Sequence, residues 1–175
     1  MTERERQARH LRLFLAGLRQ DGEAAEAVHG RLVLAVQSAR ASGPDVVHVA
    51  AVALFLQNLY TALEALFRRV AVDLDGSEPG GDDWHRELLG QMALEISDVR
   101  PRLLGGELQA DLDQLRRFRH LVRHPYATEY DWDEMEGVIA AADRAMKALP
   151  AALVPLEETI RAAIRACEGG EDLRP

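Results

Sequence analysis

Only one cysteine, Cys167, occurs in 175 residues, so no internal disulfide can form and no second thiol completes a metal-binding pair. A disulfide scaffold and a Cys-based zinc site are both excluded. β-Favouring residues are scarce: Val, Ile and Thr together number 21, against 52 for Ala and Leu, and no convincing run alternates with period two. A nearly all-helical protein is expected. Long apolar runs are also missing, because the longest, around Val49 to Leu56, falls well short of the roughly 20 residues of a membrane span. With a strongly charged N-terminus, this reads as a soluble, cytoplasmic protein with no membrane partner. Positive charge is in deficit: 21 Lys and Arg face 29 Asp and Glu, a net charge of −8. That argues against a chain coated in nucleic acid, while leaving room for a local basic site.

What is present fits one folded unit. Hydrophobic residues make up 47% and charged residues 29%, enough for a sizeable core at this length, and neither a repeat nor a low-complexity segment divides the chain. A single domain over residues 1–175 is expected, with 168–175 as a polar tail. Helical periodicity runs over residues 2–41, with an interruption expected near Asp21-Gly22, and stops at Ser42-Gly43-Pro44-Asp45. A long central helix follows over about 45–74, on which Val52, Leu56, Leu59, Tyr60, Leu63, Phe67 and Val70 form one apolar stripe. Asp83 is placed to cap a short helix carrying Trp84, Leu88, Leu89 and Met92. A fourth helix is expected over 107–124, ended by Pro125, and a fifth opening at Asp131-Trp132. Pro150 should break or kink the fifth, leaving a last helix over 151–167.

The fourth helix holds the sharpest irregularity. Residues 116–124 contain four arginines, two histidines and no carboxylate. At about 100° per residue, Arg119 falls only about 20° from Leu108, inside the stripe formed with Leu112, Leu115 and Val122. A guanidinium keeps its proton, so on a buried face it needs a carboxylate, a phosphate or an opening to solvent. Glu64, the lone acid between Leu59 and Phe67, is the internal candidate. A ligand phosphate in a cleft or subunit interface is the other, since the planar fork of arginine suits it. His120 and His124 are four apart, but no adjacent Glu and no third ligand accompany them, and no metal or other cofactor is expected. His10, His29 and His48 read as ordinary surface or satisfied residues.

At these residues the sequence resembles the HepT-like toxins of the HEPN superfamily of ribonucleases, whose signature is an Arg, four to six residues, then His, usually followed by x-Tyr. Here it reads Arg119-His120-Leu121-Val122-Arg123-His124-Pro125-Tyr126. Tyr60-Thr61-Ala62-Leu63-Glu64-Ala65-Leu66-Phe67 is similar to the Tyr-x3-Glu-x2-Phe segment of the central helix in these proteins, and Trp84-His85-Arg86-Glu87-Leu88-Leu89 to their Trp-His-x2-Leu-Leu helix start. Many relatives carry Asn directly after the motif arginine, where this chain has His120. The resemblance covers roughly residues 56–134. It implies an all-helical bundle with a long central helix, acting as a homodimer and as the toxin of a toxin–antitoxin pair. It implies a metal-independent endoribonuclease in which Arg119, His124 and His120 are catalytic and Arg116, Arg123 and Tyr126 bind RNA. It further implies a nucleotidyltransferase antitoxin as partner, with AMPylation of Tyr126 as the means of neutralisation. A non-catalytic HEPN module for dimerisation or nucleotide binding is the alternative.

Overall fold

The computed structural model describes residues 1–122 and 131–169. Among these residues are five helices: α1 (Glu3–Ser42), α2 (Val46–Asp73), α3 (Trp84–Met92), α4 (Gly106–Val122) and α5 (Trp132–Glu168). No strand occurs among the described residues beyond one isolated bridge between Ile96 and Arg100. The fold is therefore all-α, with α2 as the long central helix.

Short polar signals set the helix ends. Thr2 and Glu5 form a reciprocal box, the Thr2 hydroxyl accepting from the Glu5 N–H and the Glu5 carboxylate from the Thr2 N–H. Gly43 ends α1 at φ +82°, a conformation that favours glycine. Two residues on, the Asp45 carboxylate accepts from the Val47 and His48 N–H groups, both at 2.9 Å, and opens α2. This short connection turns the chain back, so α2 packs along α1. Helix α2 touches all four other helices, and its buried Leu59, Tyr60, Leu63, Leu66 and Phe67 form the middle of the core. By length and composition α2 could also cross a membrane. One unbroken apolar run does not reveal that property, because α2 gains its length from alanines and uncharged polar residues spread between the apolar positions.

Three expectations are corrected. Helix α1 runs through Asp21-Gly22 without a break: Leu18 and Ala25 on either side are fully packed, and Asp21 accepts from Arg69 Nε of α2 at 2.6 Å. Tertiary burial outweighs the roughly 1 kcal/mol helix penalty of glycine. Nor does Pro150 end α5, which continues through both Pro150 and Pro155 to Glu168. Both prolines lie on the exposed side, where water can satisfy a freed carbonyl, while Leu149, Leu153 and Leu156 stay packed on the core side. Asp83 precedes α3 but makes no side-chain cap, since its carboxylate instead accepts from Arg86 at 2.9 Å. By contrast, Asp131 caps α5 by accepting from the Asp133 N–H at 2.9 Å.

Two glycines inside α1 give a direct test of the balance between propensity and packing. A Cβ added at Gly22 or at Gly30 would meet nothing within 4 Å. Gly22→Ala and Gly30→Ala should each stabilise the protein by about 0.5–1 kcal/mol, because alanine has less backbone freedom to lose on folding. Thermal unfolding followed by circular dichroism should show a higher Tm for each.

Candidate anion-binding cleft

Arg119 lies where its helical register predicts, in the apolar face of α4 beside Leu112, Leu115 and Phe118, and it is only 7% exposed. Its ion-pair partner is Glu64 of α2, also buried, with Arg119 Nη1 at 3.4 Å from Glu64 Oε1. Of the candidates for what meets the guanidinium, the carboxylate is realised. There is an opening as well, because Arg119 also lines a cleft of about 330 Å³ between the start of α3 and the last turns of α4. Its Nε is buried with no hydrogen-bond partner among the described residues. Leaving such a charged donor unmatched is costly, which marks Arg119 as a candidate anion-binding residue.

The cleft is lined by Asp82, Asp83, His85 and Arg86 on the α3 side and by Arg116, Arg117, Arg119 and His120 on the α4 side. Arg116, Arg119 and His120 are thereby brought together. Arg123, His124 and Tyr126 lie outside the described residues. The surface arginines have acidic neighbours: Arg116 donates to Asp113 at 2.8 Å, Arg117 stands 3.2 Å from the same carboxylate, and Arg86 pairs with Asp83. Exposed and half-buried pairs of this kind are worth about 0–1 kcal/mol, and a multiply charged anion can compete for their donors.

One residue of the cleft escaped the reading for function. His85, on the first turn of α3, hydrogen-bonds Glu64 Oε1 through Nδ1. Arg119 Nη1 stands 3.1 Å from both His85 ring nitrogens. A single atom equidistant from two 1,3-related nitrogens cannot lie along either in-plane lone pair, so the guanidinium sits against the ring face. The Trp84 ring lies 3.7 Å from the imidazole, centroid to centroid, at a tilt of 30°, and Tyr60 meets it edge-on at 6.5 Å. The Arg119 Cζ is 5.6 Å from the Tyr60 ring centroid. Burial, reinforced by the nearby Glu64 carboxylate, pushes the Tyr60 phenol well above its usual range. Tyr60 therefore stays protonated and neutral throughout the physiological range. The signal that could have marked His85 is its place in Trp84-His85-Arg86-Glu87-Leu88-Leu89, one of the stretches of family resemblance.

The remaining histidines are satisfied. His29 pairs with Asp143 at 2.7 Å and His48 with Asp45 at 2.8 Å, while His10 Nε2 lies 3.3 Å from the Asp73 carbonyl. Among the described residues, no group of three or more His, Cys, Asp or Glu is placed to hold a metal ion.

Compared with known proteins, residues 51–160 match a family model described as HepT-like protein. No curated protein and no solved structure matches the chain.

Proposed function

The chain belongs to the HepT-like family, whose model spans more than half of it, and from that premise we propose that it is a metal-independent endoribonuclease, the toxin of a toxin–antitoxin pair. The observation that carries the reading is the buried Arg119, its Nε unpartnered among the described residues, lining a cleft that also holds His85, His120 and Arg116. Such a group binds and stabilises a phosphate whose charge grows as it is attacked.

In this reaction the 2′-hydroxyl of RNA attacks the adjacent phosphorus and the 5′-oxygen leaves. The products are a 2′,3′-cyclic phosphate and a free 5′-hydroxyl. Arg119 offsets charge on the phosphoryl oxygens, His124 transfers a proton, and His120 assists from the mouth of the cleft. Arg116, Arg123 and Tyr126 hold the RNA backbone. We assign the working form as a homodimer in the cytoplasm, with the two motifs sharing one cleft. The partner is a nucleotidyltransferase antitoxin, and transfer of AMP to Tyr126 would place bulk and negative charge where an RNA phosphate must enter.

A second reading, a non-catalytic helical module for dimerisation or nucleotide binding, is favoured by one observation: Arg119 already has Glu64 as an ion-pair partner. Cleavage of bulk cellular RNA and tRNA in EDTA separates the two readings. The purified protein should cut, and a folded His124→Ala variant should fall to background, with 2′,3′-cyclic phosphate ends on the fragments. Fragments ending in 3′-hydroxyl, or equal background from parent and variant, would remove the nuclease reading.

A further inference from the structure

We propose that His85, which lies outside the Arg119 to Tyr126 motif, is a second proton-transfer group of this site and acts as the base that takes the 2′-hydroxyl proton. The inference rests on the ribonuclease reading above. Four neighbours fix the imidazole. Glu64 binds its Nδ1, Arg119 lies against its face, Trp84 stacks beside it and Tyr60 meets its edge. A surface histidine needs none of these. Glu64 itself is buried, with 6% of its side chain exposed, whereas the His85 side chain keeps 20% exposure and lines the cleft. The carboxylate is thus at the back and the imidazole at the front.

This order has a chemical consequence. A carboxylate only accepts, so the neutral imidazole donates from Nδ1, and the basic lone pair belongs to Nε2. Carboxylate-to-imidazole pairing of this kind fixes the tautomer and stabilises the imidazolium formed when Nε2 takes a proton. Arg119 touches both the imidazole and the carboxylate, so a phosphate bound at its remaining donors lies next to the base. Other charged or titratable groups on the packed elements are Tyr60 and Arg68 of α2, Arg116, Arg117 and His120 of α4, Arg86 of α3, and Asp82 and Asp83 just before it. Of the charged groups in contact with the imidazole, Glu64 and Arg119 are buried.

The step balances without a co-reactant. The 2′-hydroxyl proton passes to His85 Nε2 as the 2′-oxygen to phosphorus bond forms. The bond to the 5′-oxygen breaks with its electron pair, and that oxygen takes a proton from His124 as general acid. Water later opens the cyclic product or it is released as such.

The test uses a DNA oligonucleotide containing one ribonucleotide, with kcat and KM measured from pH 5 to 9 for the full-length parent, His85→Gln and Glu64→Gln. The parent should give a bell-shaped kcat/KM profile. His85→Gln should lower kcat by about 10²- to 10⁴-fold, with KM within a few-fold, and should lose the acidic limb. Glu64→Gln should also depress kcat while retaining that limb, because the imidazole remains. If His85→Gln keeps the parental bell, His85 is not the base, although the nuclease reading survives. If the parent does not cut, both fall. Should the variants fail to fold, nitrogen-15 NMR of the parent decides: the proton must sit on His85 Nδ1, and a non-cleavable all-deoxy dinucleotide must shift the His85 ring signals. A proton on Nε2, or unmoved signals at saturating dinucleotide, would overturn the proposal.

Discussion

Replacing Arg119 by alanine is expected to lower the kcat for RNA cleavage by about 10²- to 10³-fold, the typical loss when one preorganised donor to a developing oxyanion is removed. The expectation follows from the guanidinium's position rather than from its charge alone. Arg119 is held between Glu64, the His85 ring and the Tyr60 ring, so it does not reorganise as the phosphate changes charge. Arg119→Lys keeps the charge but replaces a planar fork with a point donor, and should recover little of the rate. Binding separates the two contributions. For a non-cleavable 2′-deoxy oligonucleotide, the log–log salt dependence should flatten by about one unit in Arg119→Ala and stay near parental in Arg119→Lys. Because the change also leaves Glu64 without its arginine, rates must be referred to the folded fraction measured by circular dichroism. Unchanged cleavage after that correction would reduce Arg119 to a structural ion pair, as the non-catalytic reading requires.

Much of this arrangement is legible in the sequence because it is local. Leucine spacing on α4 places Arg119 among apolar residues, and an isolated acid in an apolar stretch marks Glu64, so the two could be paired across 55 positions. Helix α2 and the cap at Asp131 follow from periodicity and side-chain chemistry in the same way. What was not legible depends on packing between distant segments. His85 becomes a cleft residue only because α3 sets it against residues 21 and 34 positions away, and no spacing rule encodes that. The continuity of α5 was hidden for a related reason. Local rules read Pro150 as a break, but Leu149, Leu153 and Leu156 around it are buried against the core, and their burial outweighs the lost backbone hydrogen bonds.

The loops that carry α3 depend on one buried ion pair, and breaking it should give the largest loss of stability. Arg100 and Asp75 have side chains 0% and 2% exposed. Arg100 donates to both Asp75 oxygens, at 2.6 and 2.7 Å. Its other donors reach the carbonyls of Leu94, Pro101 and Gln91, at 2.9, 3.2 and 3.0 Å. Gln91 Nε2 adds a further bond to Asp75 at 2.7 Å. One guanidinium therefore ties the end of α2, the body of α3 and the segment leading to α4. Asp75→Leu leaves Arg100 charged and buried, and should cost about 3–5 kcal/mol. At about 2–4 °C per kcal/mol for a chain of this size, Tm should fall by roughly 6–20 °C. Arg100→Met should cost more, because it strands a buried carboxylate and deprives three carbonyls of a donor. The double variant distinguishes the two sources of loss. Removing both charges should restore part of the stability lost in Arg100→Met, but not parental stability, since the carbonyls stay unpaired. Full recovery in the double variant would mean that only the charges matter here, and a fall of under about 2 °C for Asp75→Leu would mean that other contacts hold these loops.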